Sequence, residues 1–312
     1  MIESVKEFEL ISGYPAFKGL VESVFLKSPM QRKYLTHHFA KRDEVFWRRA
    51  EQFAQNFLSY LDHIGLSADQ AINAYLEVCR DMLASQMSFK RTQKYSCPKA
   101  SEAKIHVYSS NEKMTNYMIG LALTQFLWPN HYEMYDFFIE QNKKLKNIKN
   151  ILEIGPGHGF FLAESVSLFP DAHIEAIDIS PTSKRLSEAF VFHLTGKQCS
   201  VALKDISQFD GGSYDYIVMG EVLEHLDEPK SVLKRIHRAL NDKGYFYMTT
   251  CANAPAIDHV YLYESVEHIQ RELKESGFAP IAELALPVED VPQKEWVEKR
   301  IEVNYSAMLR KV

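Results

Sequence analysis

Ile151-Leu152-Glu153-Ile154-Gly155-Pro156-Gly157-His158-Gly159-Phe160-Phe161-Leu162 is the stretch whose reading decides the fold. A short apolar run closes on an acid, three glycines alternate, and apolar residues resume. That pattern predicts a buried strand, a tight turn and a helix opening behind it. Glycines at alternate positions let the backbone pass close to a ligand, because no Cβ intervenes. The helix that follows turns its free N–H groups into the same space. The stretch therefore reads as a ligand cradle at the carboxyl end of the first strand of an open α/β sheet.

Working outward towards the C-terminus, strands and helices alternate. A helix over about 160–169 ends at Pro170-Asp171, and His173–Asp178 is a second strand ending in an acid. Asp178 lies 23 residues beyond Gly155, a position from which a carboxylate can accept from both hydroxyls of a ribose. A helix over 181–194 leads to a third strand, Ser200–Leu203, and then to Lys204-Asp205-Ile206. Tyr214–Met219 is a fourth strand, rich in β-formers. Pro229–Leu240 is an amphipathic helix, Asn241–Gly244 a turn, and Tyr245–Thr250 a fifth strand.

The glycine spacing discriminates between ligands. Dinucleotide binders carry Gly-x-Gly-x-x-Gly, and here the position of the third glycine of that fingerprint is Phe160. Glu153-x-Gly155-x-Gly157-x-Gly159 instead resembles the first motif of the class I S-adenosylmethionine (SAM) methyltransferases. The resemblance spans about residues 150–280. It implies a doubly wound, mostly parallel, seven-stranded Rossmann-like sheet, with strands near 281–286 and 301–306 completing it as an antiparallel pair. It implies SAM as cofactor, with Glu153, Gly155, Gly157 and Gly159 around its amino-acid and ribose portions. Asp178, followed by Ile179, would take the ribose hydroxyls. Asp205 would accept from the adenine amino group and Ile206 would offer its backbone N–H.

The fourth strand runs into Gly220-Glu221-Val222-Leu223-Glu224-His225-Leu226. This loop faces the reactive methyl in related folds, so Glu221 also counts among the cofactor contacts. Two carboxylates and an imidazole this close suit Mg²⁺, Mn²⁺, Fe²⁺ or Zn²⁺. The segment resembles that of the ubiquinone-biosynthesis O-methyltransferases and of the small-RNA 2′-O-methyltransferases. In the latter, Glu-x-x-Glu-His and a later histidine bind a divalent metal beside the substrate hydroxyl. The later histidine here would be His259, giving a metal set of Glu221, Glu224, His225 and His259. Without metal, His225 or His259 is the candidate general base, with Glu224 beside them, and the rest of catalysis is alignment of nucleophile, methyl and sulfonium. His158 is expected to contact cofactor or solvent, and His268 to be exposed.

The rest of the chain bounds these readings. With 312 residues, 46% hydrophobic and 25% charged, there is material for one large domain or two modest ones with a sizeable core. Residues 1–150 carry 20 Lys+Arg against 16 Asp+Glu, and residues 151–312 carry 16 against 25. An acidic cofactor domain with no nucleic-acid module disfavours a nucleic-acid partner. Cys79, Cys97, Cys199 and Cys251 show neither zinc nor disulfide-framework spacing and fit a reducing compartment. Met1–Glu7 lacks the pattern of a signal peptide, and 117–128 is too short and too interrupted to span a bilayer, so a cytoplasmic protein without a membrane partner is expected.

The N-terminal part reads as helical. Val45, Phe46, Ala50, Phe53, Phe57, Leu58 and Leu61 recur at three- and four-residue steps, and Gly65 stops the helix. Ser67-Ala68-Asp69-Gln70 restarts one as a capping box. Residues 90–110 show no period and read as a loop or linker, and 114–141 is helical again with a break at Trp128-Pro129-Asn130. Arg32-Lys33, Lys41-Arg42 and Arg48-Arg49 read as solvated helix faces. The expected organisation is a helical lid or substrate-binding domain over 1–145 and a SAM-binding domain over 146–312, with part of the aromatic set lining a substrate cavity.

The expectation is thus a methyltransferase acting on O, N or C of a small metabolite or biosynthetic intermediate. A metal-dependent RNA 2′-O-methyltransferase and a non-catalytic SAM-binding subunit are the alternatives. The oligomeric state stays open, a homodimer being one option.

Overall fold

The computed structural model describes residues 12–108 and 110–312, so the reading of Met1–Glu7 lies outside the described residues. Two compact units emerge. One comprises the described residues through Arg80 together with Asn116–Tyr132, and the other Asp81–Thr115 with Glu133–Val312.

The first unit is built of helices. They include α1 (Pro15–Lys27), α2 (Pro29–Phe39), α3 (Glu44–Ile64) and the first half of α4 (Ala68–Thr92). Asp43 caps α3, accepting from Phe46 N–H at 2.9 Å, and Gly65 ends it in the left-handed region at φ 74°. The predicted capping box is present: Ser67 N–H donates to Gln70 Oε1 at 2.8 Å and Gln70 N–H to Ser67 Oγ at 3.2 Å. Phe17, Phe39, Phe46, Trp47, Phe126 and Tyr132 pack edge-on or tilted into one aromatic core. Arg42 departs from the expected solvated face. It donates to His38 Nδ1 at 3.2 Å and lies over the rings of Phe46 and Tyr132.

The second unit holds a seven-stranded sheet ordered β3-β2-β1-β4-β5-β7-β6. Its strands are β1 (Asn150–Ile154), β2 (His173–Asp178), β3 (Val201–Leu203), β4 (Tyr214–Gly220), β5 (Leu240–Ala252), β6 (Phe278–Pro287) and β7 (Val303–Lys311). β1 to β5 run parallel, and β7 lies antiparallel between β5 and β6, as the resemblance implied. Pairing leaves β1 on one side to β2 and on the other to β4, so a topological switch point lies between β1 and β4, where open sheets bind ligands.

One face of the sheet buries Leu152, Ile154, Ile217, Met219, Phe246 and Met248 under two amphipathic helices, α10 (Pro229–Ala239) and α11 (Val266–Glu275). On the other face Phe138 meets Phe161 and Tyr247, from α7 (Pro129–Asn142), α8 (Phe160–Leu168) and β5. α9 (Pro181–Thr195) starts from Ser180, whose Oγ accepts from Ser183 N–H. The expected turn at 241–244 proves to be an irregularity inside β5. Leu240 already pairs with Tyr214, the register then shifts, and Lys243 sits at φ 65°.

Residues 90–110 also differ from expectation. α4 continues to Thr92, and α5 (Ala100–Ala103) follows before α6 (Asn111–Leu127). The one-turn α5 runs straight into a π-helical turn, Lys104–Tyr108, and both are too short to show a hydrophobic period, which is why the sequence pattern was blank. No helix among the described residues is long and apolar enough to cross a membrane.

Candidate active site

The glycine loop leaves β1 with all three glycines in the left-handed region, at φ 66°, 55° and 87° for Gly155, Gly157 and Gly159. Two are also demanded by packing. A Cβ on Gly155 would stand 2.7 Å from Val222 Cγ2, and one on Gly159 would stand 2.8 Å from Ser187 Cα. The Gly155 contact seats the cradle directly against the Glu221–His225 segment. His158 serves the loop itself, its Nδ1 accepting from Phe160 N–H at 3.2 Å where Gly159 offers no side-chain cap.

Asp178 closes β2 beside this loop. Its Oδ1 accepts from Ser180 N–H at 2.7 Å and its Oδ2 faces Gly157 N–H at 3.4 Å. Burial raises its carboxyl to about 6. Glu153 is buried within β1, and its Oε2 has no hydrogen-bond partner, so desolvation holds it well above the usual carboxylate range. At the end of β3, Asp205 caps the short 3₁₀ turn Ile206–Gln208 through Ser207 N–H at 2.8 Å, with Asp205 exposed and Ile206 buried.

The second half of the site lies at the ends of β4 and β5. Glu221, the first residue past β4, adopts φ 52°, and its N–H donates to Thr249 Oγ1 at 3.0 Å. Leu223–His225 forms one 3₁₀ turn. Glu224 is fully buried, its Oε2 accepting from Thr250 Oγ1 at 2.7 Å, while its Oε1 has no partner. The Glu224 carbonyl accepts from Val260 N–H at 2.9 Å and Tyr261 N–H at 3.0 Å, and so ties the turn to the loop carrying His259. Burial lifts Glu224 to about 7, and burial together with the Glu224 charge lifts Glu221 well above the carboxylate range.

The two histidines meet edge to face at 4.9 Å between ring centroids. His225 Nδ1 lies 3.0 Å from the Asp258 carbonyl and 3.6 Å from its Oδ2, and His259 Nδ1 lies 2.6 Å from the Ala254 carbonyl. A carbonyl only accepts, which assigns the proton to Nδ1 in both rings and leaves both Nε2 lone pairs available. Burial, then the neighbouring His225, lowers His259 to about 4.

Comparison with known proteins bears on this arrangement. A family model described as a methyltransferase domain matches residues 130–283. A ubiquinone biosynthesis O-methyltransferase of Idiomarina loihiensis is 25% identical over 197 residues, covering 56% of this chain and 79% of that protein. Residues 130–283 are thus similar to a methyltransferase domain. A methyltransferase of Strobilurus tenacellus is 36% identical over 88 residues, and the match spans 28% of this chain and only 30% of that protein's length. In fold, the methyltransferase domain is like phosphoethanolamine N-methyltransferase 2 of Haemonchus contortus, solved with S-adenosyl-L-methionine, at a TM-score of 0.51 and 13% identity, covering 69% of this chain and 60% of that one.

The residues fit SAM. The glycine loop turns at the carboxyl end of β1 with all three glycines at positive φ, and Asp178 keeps acceptor capacity beyond its two N–H contacts. Ile179 and Leu203, 41% and 55% exposed, offer apolar side chains next to the acids that end β2 and β3. Of the four residues expected to hold a metal, Glu224, His225 and His259 bring their donor atoms within 4.8 Å of one another, whereas Glu221 groups with Glu224 and Cys251 at the same spacing.

Five contributors escaped the sequence reading. Thr249, Thr250, Cys251 and Asp258 flank the predicted histidine loop, and Tyr108 comes from the segment read as a linker. Tyr108 donates its hydroxyl to Asp258 Oδ2 at 3.0 Å. The same segment is held by Ala100 N–H on Asp227 Oδ1 at 3.0 Å and by Tyr95 5.8 Å from the His259 ring, and the next residue beyond it, Asn111, accepts at Oδ1 from Thr182 Oγ1 at 2.7 Å. It crosses the carboxyl edge of the sheet from the β5 end to the β2 end. The aromatic density at Tyr95 and Tyr108 was the one available signal. His268 is less exposed than expected and faces Glu272 at 3.6 Å.

Proposed function

We propose that this protein transfers a methyl group from SAM to an O, N or C atom of a small metabolite or biosynthetic intermediate, with His225 as the base. The observation that carries the reading is the seating of the glycine cradle on Val222, three residues before an imidazole whose Nδ1 is tied to Asp258. SAM supplies an activated sulfonium methyl. Glu153, the glycine loop, Asp178, Ile179, Asp205, Ile206 and Glu221 orient it. His225 Nε2 takes the acceptor's proton, and Asp258 stabilises the resulting imidazolium. His259, lowered to about 4, is the poorer base and buttresses His225. The Idiomarina relative's O-methyltransferase name supports a hydroxyl acceptor.

One observation favours a second reading, in which a divalent ion lies beside the acceptor. Glu224 Oε1 is buried without a hydrogen-bond partner, and a ring nitrogen of His225, one of His259 and a Glu224 oxygen lie within 4.8 Å of one another. Glu224, His225 and His259 would then hold the ion, and the ion would polarise the acceptor hydroxyl.

Calorimetry with SAM, followed by an acceptor screen with and without EDTA, tests both readings. No SAM binding defeats the proposal as a whole. Turnover that survives EDTA but falls with His225→Ala selects the base, and EDTA-sensitive turnover restored by metal selects the ion. Methylation of RNA but of no small molecule would overturn the substrate class.

A further inference from the structure

We propose that the corner where α1 meets α2 docks on the surface of an anionic lipid bilayer. Leu26 and Met30 enter the headgroup layer, and Arg32, Lys33 and Lys41 meet its negative charge.

The charge is legible in the sequence. Residues 23–42 contain Lys27, Arg32, Lys33, Lys41 and Arg42 and no acid, Glu22 and Asp43 being the acids on either side. Two of these cations are engaged within the fold. Lys27 pairs with Asp69 at 2.6 Å, and Arg42 lies over the rings of Phe46 and Tyr132. Arg32, Lys33 and Lys41 stay exposed, Arg32 with its guanidinium 5.2 Å from the Phe25 ring centroid. In the third basic pair of the sequence, by contrast, Arg48 is matched by Glu44 one turn earlier at 3.8 Å.

The apolar part comes from how α2 is seated. Leu35, His38 and Phe39 bury one face of the helix. Met30, Lys33, Tyr34 and His37, at i, i+3, i+4 and i+7, therefore share the opposite face and are all exposed. Met30 is 80% exposed, and Leu26, next to the end of α1, is 83% exposed. Only Lys27, Ser28 and Pro29 separate them, with Ser28 extended between the two helices. Large apolar side chains open to water and rimmed by cations mark an interaction surface.

The combination selects the occupant. A second copy of the chain fits poorly, because an isologous contact would bring Lys33 and its neighbouring cations towards their own counterparts. Nucleic acid would engage the cations through its phosphates and leave Leu26 and Met30 unused. A bilayer surface uses both, since anionic headgroups attract the cations and the acyl boundary accepts the apolar side chains. Docking of this kind lies on the membrane and needs no spanning helix, and none is present among the described residues.

Vesicles test this directly. Full-length protein is mixed with vesicles of phosphatidylcholine alone and of phosphatidylcholine with phosphatidylserine. Binding is measured by co-sedimentation and hydrogen exchange is followed in parallel. Wild type should bind the mixed vesicles, release as salt rises, bind phosphatidylcholine at least about tenfold more weakly, and gain exchange protection at the α1–α2 corner. Each cation near a charged bilayer contributes about fivefold, so Lys33→Gln with Lys41→Gln should lower affinity about 25-fold. Leu26→Gln with Met30→Gln should lower it at least about tenfold by removing the apolar contact. All four positions are exposed, so both double variants should melt with wild type.

Wild type that ignores the mixed vesicles, or either double variant binding as wild type does, overturns the proposal. RNA bound as tightly as the vesicles, with the Leu26 and Met30 changes having no effect, would reassign the face to a polyanion. A dimer in sedimentation that those two changes abolish, with no vesicle binding, would reassign it to a second copy. Should a variant fail to fold, the salt dependence and exchange pattern of wild type still decide.

Discussion

Replacing Asp178 with asparagine keeps the side chain's size and removes its charge, which separates its cost to the fold from its use to the cofactor. In the wild type Oδ1 accepts from Ser180 N–H and Oδ2 faces Gly157 N–H. Asparagine has one oxygen, so it keeps the Ser180 bond and loses an ionised acceptor towards the ribose. A charge-assisted hydrogen bond contributes about 1.5–3 kcal/mol, so SAM affinity at pH 7.5 should fall about 10- to 150-fold. Stability should move the other way. The folded carboxyl sits at about 6 against an ordinary 3.8, raised by burial. The ionised form therefore costs the ligand-free fold about 3 kcal/mol above pH 6, and that cost disappears as pH falls towards 3.8. The ligand-free variant should accordingly melt no lower than wild type at pH 7.5, with the difference shrinking towards pH 4. Wild-type SAM affinity should decline below pH 6 as Asp178 protonates, and this component should be missing from the variant. Calorimetric titration and thermal melts across pH 4–8 provide both readouts. A variant that binds SAM within twofold of wild type, or that shows the same pH profile, would refute the assignment of Asp178 to the cofactor.

Four further outcomes are expected. His225→Ala should lower kcat about 10²- to 10⁴-fold while SAM affinity stays unchanged by calorimetry. Gly159→Ala should destabilise by about 1–3 kcal/mol in urea titrations and by more than Gly155→Ala, because its Cβ meets the Ser187 backbone while that of Gly155 meets a side-chain methyl that can rotate. Tyr108→Phe removes a donor from an Asp258 carboxyl that is 1% exposed and should cost about 1–3 kcal/mol by the same measurement. Ser67→Ala breaks the capping box at the start of α4 and should cost about 1 kcal/mol, seen as a lower Tm.

Local chemistry made half of this site legible. Glycine alternation at 155–159 reports a backbone that must adopt positive φ, and the acids at 178 and 205 sit where strands end, so periodicity alone places them. Glu221, Glu224 and His225 share one turn and could be grouped by proximity in the chain. His259 needed the family resemblance, because it lies 34 residues beyond His225. Asp258 itself lies 150 residues from Tyr108, the residue that donates to it.

What the sequence by itself determined was the alternation of strands and helices, the glycine turn and the acids at the strand ends, since each follows from spacing along one element, while the cofactor class and His259 came through the family resemblance. Only the tertiary structure decided that Ala100 and Tyr108 bond to the loops after β4 and β5, that Arg42 is packed against rings, and that Cys251 joins Glu221 and Glu224. Those outcomes depend on where separate elements come to rest. Hydrophobic periodicity specifies which face of an element is buried, while the polar partners of a buried carboxylate are chosen only when several strand ends converge.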